Sequence, residues 1–123
     1  MIKVLLVDDY IIIRKAIKNI LNNQPKIQVI GECSNGNEVI PFIETQMPDI
    51  ILMDYQMPIL NGLETTKLVR KYFPEIKIIG FSSAEDNSIK TAFLQNGACG
   101  FLSKYDANID NLVREINNCY SIT

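Results

Sequence analysis

The chain has 123 residues, of which 47% are hydrophobic, with 12 basic and 14 acidic side chains and no histidine. That length holds one domain with a substantial core, and that composition excludes a disordered polypeptide. A net charge of -2 excludes a surface that as a whole attracts nucleic acid or anionic membrane, and the missing imidazole removes the commonest general base and transition-metal ligand.

Lys3 to Val7 is an apolar run ending in Asp8-Asp9. Unbroken runs of this length read as strands covered on both faces. From Tyr10 to Asn23, Ile13, Ala16, Ile17, Ile20 and Leu21 recur at the spacing of one helix face, and Pro25 punctuates the end. Ile27 to Cys33 partly alternates, as an edge strand does. Ser34-Asn35-Gly36-Asn37 then opens a helix that ends before Pro48, with Pro41 expected near its first turn because proline lacks the amide donor. Ile50-Ile51-Leu52-Met53-Asp54 is the most apolar run and carries a carboxylate at its last position. A loop containing Pro58 and Asn61-Gly62 separates it from a helix over Leu63 to Phe73, closed by Pro74. Lys77 to Phe81 is a fourth strand leading into Ser82-Ser83. Glu85 to Asn96 is a helix with Ile89, Ala92 and Phe93 inward, stopped by Gly97. Gly100 to Ser103 is a fifth strand ending at Lys104, and Ala107 to Cys119 is a last helix with Ile109, Leu112, Val113 and Ile116 on one face.

Five strand-helix units with helix-length crossovers force a parallel sheet with helices on both faces. The fold class expected is an α/β, flavodoxin-like (βα)5 doubly wound sheet with strand order 2-1-3-4-5, formed by residues 1–123 as one domain. No apolar window approaches the roughly 18 residues of a membrane span, and the chain enters its first strand without a signal peptide, so a cytoplasmic location is expected. Cys33, Cys99 and Cys119 are odd in number and lack a Cys-x-x-Cys pair. They read as reduced, mostly buried thiols rather than a disulfide or a zinc site, with no acidifying context for a redox sensor.

The strand ends collect Asp8, Asp9, Asp54, Ser82 and Lys104. In the 2-1-3-4-5 order, strands one and three are neighbours at the switch point where ligands bind. Three carboxylates crowded there need protons or a cation, and a hard oxygen-seeking divalent ion such as Mg²⁺ answers that need. A metal, a carboxylate, a hydroxyl and an ammonium together are the equipment for phosphoryl transfer to the carboxylate. Without a histidine of its own, the chain must receive the group from a partner or a small phosphodonor.

Four pieces in order, Asp8-Asp9, Met53 through Gly62, Phe81-Ser82-Ser83 and Gly97 through Lys104, resemble the receiver domains of two-component response regulators. The resemblance implies phosphorylation of Asp54 by a sensor histidine kinase or phosphotransfer protein. It also implies Mg²⁺, with Mn²⁺ as a substitute, held by Asp9, Asp54 and the Gln56 carbonyl with Asp8 assisting through water. Ser82 would be the switch hydroxyl and Phe101 the switch aromatic, relaying the change through the helix 4, strand 5, helix 5 face. Taken alone, each residue has a plainer role: Asp54 or Asp8-Asp9 as cap acids, Lys104 as a solvated cation, Phe101 as a strand aromatic. The family commonly has proline after the lysine; Tyr105 stands here, so a trans bond is expected. Gln56 and Ala84 occupy positions that vary in the family and influence phosphoryl lifetime.

A haloacid-dehalogenase-like phosphatase would place a second aspartate where Gln56 stands, and a flavin carrier would avoid acids after its first strand. The chain is therefore read as a phosphoacceptor that catalyses only its own phosphoryl transfer and slow hydrolysis, not as an enzyme. The Gly62-Leu63-Glu64-Thr65 stretch and the tail from Leu112 look like regulators carrying LuxR-type helix-turn-helix domains. Nucleic acid would then be contacted only through a further output domain, with homodimer formation on phosphorylation; a single-domain regulator acting by protein contact is the alternative.

Overall fold

Apolar runs without alternation can be buried on both faces only inside a covered sheet, and the chain places them there. A computed structural model of the protein describes residues 1–83 and 87–120. Five parallel strands, β1 (Ile2–Val7), β2 (Ile27–Cys33), β3 (Ile50–Asp54), β4 (Lys77–Ser82) and β5 (Gly100–Ser103), lie in the order β2-β1-β3-β4-β5. Every residue of β3, the central strand, is buried. The helices are α1 (Ile11–Asn22), α2 (Val39–Thr45), α3 (Gly62–Tyr72), α4 (Asn87–Gln95) and α5 (Ile109–Asn118). This is the expected fold class and strand order.

Side chains alternate across the sheet and so build two cores. Val4, Leu6, Ile50, Leu52 and Ile79 meet Ile17 and Leu21 of α1 and Leu112 and Ile116 of α5. Leu5, Val7, Ile51, Met53 and Ile78 meet Val39 and Ile43 of α2, Val69 of α3 and Phe93 of α4. Helices α1 and α5 thus cover one face and α2, α3 and α4 the other.

Element boundaries differ from the sequence reading at the ends, where local caps decide. Before α2 a 3₁₀ turn spans Gly36–Glu38, and Pro41 falls at the third residue of α2, where no intrahelical donor is lost. A second 3₁₀ turn, Lys104–Asp106, delays α5 to Ile109, with the Asn108 side chain accepting the Asn111 N–H at 2.9 Å. Ala16 is exposed and Ile109 is 37% exposed, so both lie at the margin of faces they were expected to bury. Gly97, at φ 99°, ends the α4 segment as expected, in a left-handed conformation that glycine adopts freely. No cis peptide bond occurs among the described residues, so Lys104-Tyr105 is trans, as expected. Ala84, the helix start at Glu85 and the tail residues Ser121, Ile122 and Thr123 lie outside the described residues.

The cysteine reading needs correction. Cys33 is a buried free thiol, but Cys99 and Cys119 form a disulfide with their Cα atoms 5.5 Å apart. Their separation of 20 residues along the chain hid their proximity. A helix following a parallel strand runs back along it, so the end of α5 returns to the level at which β5 begins.

Candidate functional site

Strand register decides which strand-end groups meet. Val7 pairs with Met53, so Asp8 emerges beside Asp54. Asp54 pairs with Phe81 and Ser82 with Ser103, which sets Ser82 one residue beyond the acid's level and brings Lys104 in from the edge of β5. Asp8, Asp54 and Ser82 are each at most 3% exposed, whereas Asp9, Gln56 and Ser83 face solvent. Of the serine pair, only Ser82 therefore points into the protein at this end of the sheet.

Lys104 reaches both buried acids, with Nζ 2.7 Å from Asp8 Oδ2 and 3.2 Å from Asp54 Oδ1. Its ammonium also lies 5.7 Å from the ring centre of Tyr10 and 5.5 Å from that of Phe81, as cation–π contacts require. Asp8 is fixed from two further sides. Its Oδ1 accepts the Tyr10 N–H at 2.9 Å, and its carbonyl accepts from Arg14, whose Nε also meets Glu32 at 3.1 Å. Apart from the lysine, Asp8 Oδ2 has no hydrogen-bond partner among the described residues.

The electrostatics follow from burial. Desolvation, then the neighbouring Asp8 charge, push Asp54 up to about 7, against the opposing pull of Lys104 and with a smaller push from Asp9. Burial by itself would lower Lys104, but its hydrogen bond and charge contacts with Asp8 and Asp54 outweigh it and hold the lysine above its usual range. One carboxylate oxygen each from Asp8, Asp9 and Asp54 lie within 4.8 Å of one another. This is a set of hard oxygen donors at the edge of an open depression lined by Asp9, Tyr55, Gln56, Met57 and Asn61. The donor set fits a divalent cation with oxygen ligands and suits a soft metal poorly.

The loop from β3 to α3 forms the outer wall. Asn61 caps α3 in a reciprocal capping box with Glu64, and the Gly62 N–H donates to Tyr55 O at 2.8 Å. A Cβ on Gly62 would lie 1.9 Å from the Asp54 carbonyl oxygen, so only glycine lets this loop close on the strand end.

Phe101 is half-buried, with its ring centre 5.9 Å from that of Phe93, and Phe93 lies edge-on to Tyr55 at 6.5 Å. A Cβ on Gly80 would stand 2.6 Å from Phe93 and 2.8 Å from Phe101, so the missing side chain makes room for both rings. An aromatic row thus runs from the residue after Asp54, through α4, to β5.

Asp8, Asp9, Asp54, Ser82 and Lys104 are gathered at one end of the sheet, as the sequence reading expected. Phe101 lies in the aromatic row, against Phe93. Sequence reasoning missed Arg14, Tyr10 and Phe93 as parts of the site's support. Arg14 had a visible signal: it shares a helix stripe with Ile17 and Leu21, where a cation needs a partner. Phe93 had none, because an inward aromatic on a helix is ordinary core.

Comparison with known proteins agrees with this geometry. Residues 4–117 match the family described as Response regulator receiver domain. The chain is 37% identical over 121 residues to Response regulator UvrY of Escherichia coli (strain K12), covering 98% of this chain and 55% of that protein. It is 33% identical to Transcriptional regulatory protein LnrK of Bacillus subtilis (strain 168), with coverage of 98% and 54%. The chain therefore spans about half the length of the curated relatives it matches. Among solved structures, the response regulator domain of Thermotoga maritima CheB superposes with a TM-score of 0.87 at 31% identity, covering 100% of this chain and 99% of that one. The receiver domain of NarL from Mycobacterium tuberculosis gives 0.88 at 29%, covering 96% and 94%. With its 2-1-3-4-5 sheet and its acids gathered at the strand ends, the chain belongs to the receiver domains of two-component response regulators.

Proposed function

We propose that Asp54 is the phosphoacceptor, supplied by a sensor histidine kinase or a phosphotransfer protein. The observation that carries this reading is the placement of the buried Asp54 carboxylate at the end of the central strand, within ion-pair distance of Lys104 and clustered with Asp8 and Asp9. An Asp54 oxygen attacks phosphorus, the bond from phosphorus to the donor breaks, and the donor leaves with the electron pair. Lys104 balances charge gathering on the transferring oxygens, and the Ser82 hydroxyl donates to one of them.

Asp9, Asp54 and the Gln56 carbonyl would hold Mg²⁺, with Asp8 assisting through water; Mn²⁺ would serve in its place. When bound, the ion neutralises the acid cluster and orients the phosphoryl oxygens. The acyl phosphate then hydrolyses slowly, with no other substrate turned over. Ser82 follows the new charge, Phe101 turns further inward against Phe93, and the α4-β5-α5 face carries the change outward.

Because relatives of about twice this length are described as transcriptional regulators, the output we infer is control of transcription. It would act through a DNA-binding domain outside this chain, with dimer formation on phosphorylation, in the cytoplasm. Among the described residues no helix is long and apolar enough to cross a membrane.

The test is intact mass after incubation with acetyl phosphate, with and without Mg²⁺. One added phosphoryl group that requires both Mg²⁺ and Asp54 is expected, and Asp54→Asn should show none. Absence of an adduct in samples quenched early, with Mg²⁺ binding confirmed, would reduce the domain to an interaction module.

A further inference from the structure

The disulfide lies at the end of β5 away from the acids, and the function above makes no use of it. Cys99 immediately precedes β5, and its N–H donates to Ile78 O at 2.8 Å, so its backbone is fixed to β4. Cys119 is the C-cap of α5, with its N–H directed at the Glu115 and Ile116 carbonyls at 3.3 and 3.2 Å. Backbone hydrogen bonds therefore fix Cys99 to the sheet and Cys119 within α5, and the two Cα atoms stand 5.5 Å apart, a separation that suits a disulfide. The two residues differ in access: Cys99 is exposed overall, with its Sγ 3.3 Å from Ile78 O, whereas Cys119 is 9% exposed and packed with Leu112 and Ile116. Beyond Cys119, Tyr120 meets Lys77 Nζ at 5.2 Å. Among the described residues, the bond is the one covalent cross-link between the far end of α5 and the sheet.

We propose that Cys99–Cys119 is a reversible thiol–disulfide site that fastens the last turn of α5 to the start of β5 when oxidised and releases it when reduced. The co-reactants are a low-molecular-weight disulfide and its thiol. In oxidation, the Cys99 thiolate attacks the small disulfide and expels one thiolate. The Cys119 thiolate then attacks the Cys99 sulfur of the mixed disulfide and expels the second. Two cysteine thiols become one disulfide, one small disulfide becomes two small thiols, and the two protons pass to those products. Reduction runs the same steps backward, starting at the sulfur of Cys99, the more exposed of the two residues. Cys33 takes no part: it is 3% exposed, and burial first, then the nearby Glu38 charge, push its thiol up to about 12.

The experiment equilibrates the whole chain in mixtures of reduced and oxidised glutathione, quenches with acid, and counts alkylated cysteines by intact mass after denaturation. A single two-electron transition between one and three labelled cysteines, with its midpoint inside the range those mixtures span, is expected. A bond that survives every glutathione mixture, or that never forms in the folded protein, overturns the proposal. Hydrogen exchange at the Leu112 to Cys119 amides should quicken at least tenfold on reduction, and the Tm should fall by about 10 °C. Unchanged exchange there overturns the fastening. Cys119→Ser should accumulate the mixed disulfide on Cys99 and Cys99→Ser little on Cys119; the reverse pattern overturns the assigned order.

Discussion

Asp54 and Lys104 are a pair in which both partners hold their protons more tightly than usual, and that sets the pH behaviour of the metal-free protein. The native Asp54 titrates near 7 where the ordinary value is 3.8. Between those values the native state binds a proton that the unfolded state has lost. The stabilisation is complete below the lower value and is lost as pH rises through the upper one. Urea midpoints of the metal-free protein should therefore decline from about pH 4 to 7 through this group, and Asp54→Asn should flatten that limb. Mg²⁺ binding near neutrality should release part of a proton, read by calorimetry in buffers of differing ionisation heat. Lys104→Ala removes the only ammonium that, among the described residues, touches Asp8 and Asp54. Above pH 8 it should cost about 3 kcal/mol, the scale for breaking a buried ion pair, and less near pH 5, where Asp54 is neutral. Metal binding should persist in this variant while phosphorylation no longer changes hydrogen exchange on the α4-β5-α5 face. The main residues were legible because acids at the ends of apolar runs are costly without a purpose. Choosing Ser82 over Ser83 needed the family register, and the buried side chain of Ser82 now supplies a physical reason.

At the level of elements, the site depends on how closely loops and rings approach the strand ends. Gly62→Ala forces a Cβ into the Asp54 carbonyl, so the loop must move outward. We expect a loss of about 2 kcal/mol, in the range for overpacking, with weakened Mg²⁺ affinity measured by titration. Gly80→Ala instead meets two rings, one of them the fully buried Phe93. A similar loss is expected, but with Mg²⁺ affinity unchanged, because the disturbance falls on the aromatic row. Ile59 holds φ at 73° while the Leu60 N–H donates to Pro58 O, a three-residue turn that is strained for a β-branched residue. Ile59→Gly should raise stability by up to about 1 kcal/mol in urea melts. The strand runs and the prolines showed where elements lie. They did not show these approaches, because a glycine's empty volume depends on what the fold brings to it.

For the whole molecule, the strand order followed from repeated strand-helix units, and with it the gathering of Asp8, Asp9, Asp54, Ser82 and Lys104. The Cys99–Cys119 pair escaped because widely spaced cysteines carry no local signal; only the return of α5 along β5 joins them. That return has a thermodynamic consequence. β5 is 4 residues long, about 13 Å, and its two flanking residues are Cys99 and Lys104, so one short rod carries the proposed thiol–disulfide site at one end and, at the other, the cation proposed to meet the phosphoryl group. Linkage between two equilibria on one body is reciprocal. If reduction shifts the phosphorylation equilibrium tenfold, phosphorylation must shift the potential of the disulfide by about 30 mV, so a measurement at either end of β5 reports on the other.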